Sequence, residues 1–550
     1  MRIFGNLIKG NIDESSGITG FFPSVDKGIQ NPAALLAYGL RNQSGLAKFF
    51  LKHIPGRIPE KTPEMRQVKD YIRFHGFPEV SKEEIIDLDF AEFHIVGVSE
   101  TEIACQEAAR IKKDLHKVFD GEKRGLTYDQ RKEFIFEMYD RMAKHRSVFE
   151  EIAIAEGTPA KLFDYQWMVA NSLTKKLAEF VGNRLAPEEI PCSKEGERTI
   201  LHRHPFGAVG VFPPYNAALG LGFLAIICSF FAGNATVTRT PTRVPLTNME
   251  LAYVMKDAVA ALDFPISAFQ AIIGPGRPIA HYMANESPLN AMVYYGDSDV
   301  GLQLMAQAVR RGMHFIPELA GSGASLVWKD IDVDKVADFM THARFLGSGQ
   351  ICLAAKRLFL HEAIFDDFLE VLVEKAEKLR VGAPSDPKTD LPILGTRALY
   401  QIVDMTDEAL KKGAKLHCGG HRLNFQGEED PSGFFYKPTI LSAVDLSCKC
   451  WHHETFGPML PVMKIKDFDE AINRANNTQY GLRTSVYSDD PAIQQRFFSE
   501  IEAPGVAINT DHMHFDYFFP HLGGLKASGV FGGKYFYEVL SYMKYRHFPA

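Results

Sequence analysis

Between residues 208 and 312 the chain alternates short apolar runs with longer amphipathic or apolar stretches. The runs at 208–212, 235–239, 268–273 and 290–295 are rich in Val, Ile, Phe and Tyr and read as buried strands. The stretches at 217–232, 246–262, 277–285 and 299–312 are long enough for helices. Strand followed by helix, repeated, predicts an α/β fold: a parallel sheet with both faces covered. Ligands of such sheets bind beyond the carboxyl ends of the strands.

Residues 217–233 carry no charge, which invites comparison with a membrane span. The run is at the short edge of bilayer-crossing length, follows a strand directly and contains glycines. It reads as a helix buried in the α/β domain, and no integral membrane segment is expected. A second α/β unit is predicted after Glu318, with a strand at 324–328 and helices at 333–345 and 363–379. Residues 381–450 read as turns and short strands. Upstream, 99–153 and 159–181 read as helical, and 1–30 as irregular. Residues 32–53 have helical apolar spacing inside a locally basic stretch, 30–75. Two readings stand for it: an arm packed on its own or a neighbouring subunit, or a basic amphipathic surface for a membrane or an acidic ligand.

A chain of 550 residues is expected to hold more than one domain. The net charge is −7 and no long basic block occurs, which argues against nucleic acid as the main partner. Seven scattered cysteines give no disulfide framework, and the N-terminus lacks the long apolar stretch of a secretory signal. A reducing, cytoplasmic location is expected.

Cys352 lies in Gly349-Gln350-Ile351-Cys352-Leu353-Ala354-Ala355-Lys356-Arg357, and Glu318 upstream in Pro317-Glu318-Leu319-Ala320-Gly321. A lone cysteine is more often core filler. A thiol with a carboxylate base is, however, the minimum equipment for a covalent thioester mechanism. Three further segments stand in order with these two: Pro214-Tyr215-Asn216, Glu454-Thr455-Phe456-Gly457-Pro458 and Leu522-Gly523-Gly524-Leu525-Lys526-Ala527-Ser528-Gly529. Together the five resemble the motifs of the aldehyde dehydrogenase superfamily, over about residues 96–550. The resemblance does not reach the first 95 residues.

The resemblance implies a Rossmann-like cofactor domain at 96–316, interrupted by an oligomerisation hairpin at about 191–205. A catalytic domain at 317–536 and a C-terminal oligomerisation strand at 537–550 would follow, after an N-terminal extension, 1–95, of unassigned role. It makes Cys352 the nucleophile, Asn216 the oxyanion donor and Glu318 the general base that activates water. Asn216 alone would read equally well as the cap of helix 217–232. Relatives that transfer the acyl group to coenzyme A commonly lack the Glu, so its presence favours hydrolysis to the acid.

Glu454 and Phe456 match residues that hold the nicotinamide ribose and back its ring. Pro214, Gly274, Gly296 and Ser298 are expected at the cofactor. Where the family often has Lys-Pro-Ser-Glu, this chain has Arg239-Thr240-Pro241-Thr242 followed by Arg243. A carboxylate that would repel a 2′-phosphate is missing, and Arg239 and Arg243 add positive charge. NADP is therefore the preferred expectation, with NAD the alternative. The family's Phe-Thr-Gly-Ser reads Tyr294-Tyr295-Gly296-Asp297, which puts an acid near the expected pyrophosphate unless Asp297 turns away or caps helix 299–312.

The substrate tunnel is expected from Leu221, Leu224, Ile351, Leu353, Phe515 and Phe519, which suits an apolar or aromatic aldehyde. A homodimer or homotetramer is implied through 198–203 and 539–543. Cys448-Lys449-Cys450-Trp451-His452-His453 is spaced more tightly than common zinc sites, and no metal is expected. His512, His514 and His521 read as loop residues. Two other readings are a coenzyme A-acylating relative and a non-catalytic binding or structural member, against which the intact Cys352, Glu318 and Asn216 speak.

Overall fold

The computed structural model describes residues 2–4, 6–9, 11–13, 18–23, 90–95, 98–116, 128–171, 187–241, 243–262, 266–424, 426–513, 523–530, 532 and 539–549. The basic stretch 30–75, Thr242, Phe515, Phe519, His514 and His521 lie outside the described residues.

Two seven-stranded sheets organise the chain. The first runs in the order His314–Glu318, Ala291–Tyr295, Ala208–Phe212, Ala235–Arg239, Phe269–Ile272, Asn6–Ile8, Asn11–Asp13. Its first five strands are parallel. The helices between them, Gly220–Phe231, Pro245–Ala261, Gly276–Asn285 and Ser298–Arg310, match the segments expected from sequence to within a few residues. Gly220–Phe231 is buried at all positions but one, as a charge-free helix inside a sheet protein should be. No helix of the described residues is long and apolar enough to cross a membrane.

The second sheet runs Lys415–Cys418, Thr439–Ser442, Met459–Ile465, Ala355–His361, Gly323–Val327, Arg483–Tyr487, Gly505–Ile508. It is parallel except for the antiparallel edge strand Lys415–Cys418. A third, antiparallel sheet joins Glu188–Pro191, Arg198–Pro205 and Ser541–Phe548.

Two expectations are corrected. The first residues are not irregular: Asn6–Ile8 and Asn11–Asp13 extend the edge of the first sheet, with Leu7 opposite Ala271 and fully buried. Arg2–Phe4 and Ile18–Pro23 flank Phe90–Ile95. Strands this short carry no periodic signal, and their ladder partners are distant in sequence. Within 381–450 there is also a helix, Thr396–Lys411, which buries Ala398, Leu399, Ile402, Met405 and Ala409. That spacing is helical, but the Gly and Pro signals on both sides dominated the reading.

Candidate active site

Asn216 and Glu318 arrive at one place because both sit at carboxyl ends of parallel strands of the first sheet, with only Ala291–Tyr295 between those two strands. Asn216 lies in the loop after Ala208–Phe212, and Glu318 ends His314–Glu318. Cys352 comes from the second sheet, in the turn that enters Ala355–His361. Gly347, Ser348 and Gly349 before it all have positive φ (60°, 57° and 69°). A Cβ on Gly349 would lie 2.6 Å from the carbonyl oxygen of Gly457, so this turn requires glycine there.

Three side chains from three elements pin the peptide carbonyls around Cys352. The Asn216 amide donates to the Gln350 carbonyl at 2.6 Å. Lys356 Nζ donates to the Cys352 carbonyl at 3.2 Å. His512 Nε2 donates to the Leu353 carbonyl at 2.6 Å. The Gln350 side chain is itself saturated. Its oxygen accepts from Arg243 Nη1 (3.1 Å), the Gly395 N–H (3.0 Å) and the Tyr215 hydroxyl (3.3 Å). Its amide donates to the Gly347 and Ile393 carbonyls. Asn216 does not cap the following helix, whose N-cap is Leu219.

Cys352 is partly exposed. Burial pushes its thiol up to about 12, with Glu318 acting in the same direction and Lys356 against it. Glu318 is buried, and its Oε2 accepts from the Gly523 N–H at 2.6 Å. Burial raises this carboxyl to about 8 despite that bond. Gly321 lies so near the nucleophile turn that a Cβ there would meet the Cys352 carbonyl oxygen at 2.5 Å.

Glu454 also borders this turn. Its Oε1 accepts from the Gly321 N–H (3.1 Å) and from Lys356 Nζ. Phe456 packs edge-on to Tyr215, with ring centroids 6.3 Å apart, and lies under Lys356 Nζ at 5.4 Å. Fully buried Arg344 donates to the Thr455 and Gly457 carbonyls and so fixes the loop that carries both residues.

The residues expected at the cofactor divide. Arg239 is buried, and its Nε donates to the Gly274 carbonyl at 2.9 Å. Its guanidinium lies across Gly276, where a Cβ would sit 3.1 Å from Nη2. Gly296 is exposed and Pro214 half-buried, both beyond strand ends. Asp297 caps helix Ser298–Arg310, accepting from the Asp299 and Val300 N–H groups at 3.1 and 3.2 Å, with Arg397 at 3.4 Å. The cap resolves the difficulty that an acid poses at this position. Ser298 is buried and donates to the Ala527 carbonyl at 2.7 Å. Arg243 does not join Arg239. It stacks on Tyr215 at 4.7 Å and donates to Gln350 and Ile393, so its charge serves the nucleophile turn.

On the substrate side, Ile351 and Leu353 are half-buried beside Cys352, and Leu221 is partly buried. Leu224 is packed in the core of the first sheet. His512 is fully buried between Leu353 and Ser485, not on a loop surface, and burial pushes it down to about 3, so it is neutral. Cys448 and Cys450 are core residues beside Trp451.

Sequence reasoning missed Lys356 and Arg344 as parts of this site, and set His512 on the loop walling the substrate tunnel without its contact to the Leu353 carbonyl. For Lys356 a signal was available. Two adjacent cations, Lys356 and Arg357, sit in a run otherwise apolar enough to be a buried strand, and buried charges must find partners.

The fold is thus an α/β protein in which two mostly parallel sheets bring a thiol, a carboxylate and a carboxamide to one place. The chain belongs to the aldehyde dehydrogenase family, whose model matches residues 89–548. It is 31% identical over 348 residues to 3,6-anhydro-alpha-L-galactose dehydrogenase of Vibrio sp. (strain EJY3), covering 62% of this chain and 70% of that protein. It is 30% identical to lactaldehyde dehydrogenase of Methanocaldococcus jannaschii, covering 73% and 84%. Among solved structures it resembles glyceraldehyde-3-phosphate dehydrogenase GapN from Methanocaldococcus jannaschii DSM 2661 in complex with NADP. There the TM-score is 0.75 at 26% identity, over 82% of this chain and 95% of that one.

Proposed function

We propose that this family member oxidises an aldehyde to the carboxylic acid through a covalent intermediate on Cys352. The observation that carries the reading is the clamped turn. Asn216 pins the peptide that precedes the nucleophile by two residues, while the Glu318 carboxyl acts electrostatically on the thiol.

The Cys352 thiolate adds to the aldehyde carbon, and the carbonyl electrons move to oxygen. The second N–H of the Asn216 amide and the backbone N–H of Cys352 receive that oxyanion. One such donor contributes about 3 kcal/mol of barrier lowering. A nicotinamide dinucleotide, when bound, supplies the acceptor for the hydride and its electron pair. Glu318 then takes a proton from water, which attacks the thioester carbon. Cleavage of the C–S bond releases the acid and the Cys352 thiolate, and Glu318 returns its proton to solvent. Glu318 must be ionised for this step.

The residues fit such a dinucleotide. Parallel strands end near Pro214, Arg239, Gly274 and Gly296, where ligands of such sheets bind, while the first turn of helix Ser298–Arg310 is taken by its Asp297 cap. Glu454 and Phe456 would hold the ribose and the ring. NADP is preferred. Arg239 lies at the Gly274–Gly276 turn, no carboxylate stands at position 242, and the GapN relative binds NADP. Leu221, Ile351 and Leu353 favour an aldehyde with an apolar or aromatic chain. The exposed strand Ser541–Phe548 supports a homodimer or homotetramer.

An aldehyde panel with NADP and NAD, with products identified by mass, tests the reading. Acid formation is expected, faster with NADP. Cys352→Ala should abolish it, and Glu318→Gln should leave a burst of reduced cofactor with a slow steady state. An acyl thioester formed only with coenzyme A, or full turnover by Cys352→Ala, overturns it.

A further inference from the structure

Lys356 has no role in the steps above, yet it is fully enclosed within the site. Its ammonium makes four contacts: the Glu454 carboxylate, the Gly321 carbonyl (2.8 Å), the Cys352 carbonyl (3.2 Å) and the face of Phe456. It thus touches the backbone of the nucleophile and the carboxylate proposed to hold the ribose. We propose that Lys356 is a positioning residue that couples dinucleotide binding to the readiness of the nucleophile. While Glu454 faces Lys356 the ammonium is neutralised. When a ribose diol takes both Glu454 oxygens, the ammonium's charge is released toward the sulfur.

The geometry leaves little alternative for this cation. Glu454 Oε1 is shared between Lys356 and the Gly321 N–H, so a diol accepting the whole carboxylate must compete with Lys356. The charged groups facing the thiol are Glu318, Lys356 and Glu454, and Arg344 also faces Lys356. Among the described charged groups facing the thiol, Lys356 favours its ionised form, as the uncharged Leu353 N–H also does, while both carboxylates oppose it. Withdrawing Glu454 from that balance by hydrogen bonding to ribose tilts it toward thiolate.

The proposal rests on the nucleophile reading of Cys352, and one experiment separates the two. Iodoacetamide alkylation of Cys352 is followed by peptide mass across pH, with and without 2′-phospho-ADP-ribose, which carries the ribose diol but no nicotinamide ring. In the wild type the ribose ligand should accelerate alkylation near neutral pH and lower the apparent thiol pKa. Lys356→Met should slow neutral-pH alkylation on the order of ten-fold, one pKa unit, and abolish the ligand's acceleration while calorimetry still records its binding. Lys356→Arg should retain part of the acceleration. Glu454→Gln, needed if Lys356→Met does not fold, should alkylate fast without ligand. A Lys356→Met profile matching the wild type, or a Glu454→Gln enzyme no faster than wild type, overturns the coupling. A wild-type Cys352 that no reagent reaches at any pH overturns the nucleophile assignment and the coupling with it.

Discussion

At the scale of single residues, the site works by placing groups where their ordinary ionisation is unfavourable. Glu318 is buried, accepts one backbone N–H and is raised to about 8, well above the ordinary carboxylate range. Under the proposed mechanism Glu318 must be ionised to act as the base, so hydrolysis should accelerate as pH rises and level off above about 8. Steady-state rates from pH 6 to 10 at saturating substrate would show that limb, and Glu318→Gln should lack it. A wild-type profile flat across this range would remove Glu318 from the rate-limiting step. Cys352, Glu318 and Asn216, the residues proposed as nucleophile, base and oxyanion donor, could be singled out in the sequence because each sits in a short local motif. The roles of Lys356, His512 and Arg344 could not, because they are contacts to backbone carbonyls far away in the chain. Lys356 reaches Gly321, His512 reaches Leu353 and Arg344 reaches Gly457. Arg243 was misplaced for a related reason. A charge beside a strand end reads as a phosphate ligand until Gln350 is seen to need it.

At the scale of elements, the parallel strands and their helices were legible because the first sheet's core repeats one pattern of apolar run and amphipathic stretch. The N-terminal strands and helix Thr396–Lys411 were hidden by shortness and by flanking turn residues. One helix start depends on a group that no local pattern shows. Helix Pro245–Ala261 has no side-chain cap of its own; buried Glu156 accepts from the Leu246 and Thr247 N–H groups and from the Thr247 hydroxyl. This supplies the missing cap across a long sequence gap. Glu156→Ala should cost about 1–2 kcal/mol. Burial raises Glu156 to about 7 in the fold, above its unfolded value, so the folded state holds this proton more tightly. Wild-type stability relative to Glu156→Gln should therefore fall as pH climbs from the ordinary carboxylate range to about 7, then stay level. Melting temperatures of both proteins at several pH values would test it; a difference independent of pH would show that Glu156 does not titrate differently on folding.

At the scale of the whole molecule, the third sheet is the element on which the proposed assembly rests. Its strands Arg198–Pro205 and Ser541–Phe548 pair over their full length, from Ser541 opposite Pro205 to Phe548 opposite Arg198. Ser541–Phe548 is an edge strand, and Tyr542, Met543 and Tyr545 on it are 41%, 61% and 72% exposed. A long edge with large apolar side chains is an open template for pairing, which native proteins cover or charge. Alternate residues of a strand face opposite ways, so Met543 and Tyr545 share one side. Burying that side against a second subunit would remove apolar area from water and complete the ladder. The double variant Met543→Glu, Tyr545→Glu places two carboxylates on that side and should shift the assembly toward smaller species in light scattering after size-exclusion chromatography. The clamped turn around Cys352 draws on Asn216, Lys356 and His512, none of them in this sheet, so Cys352 should keep its alkylation profile in the dissociated form. Wild-type protein that is monomeric at micromolar concentration, or a double variant of unchanged mass, would assign this surface another use.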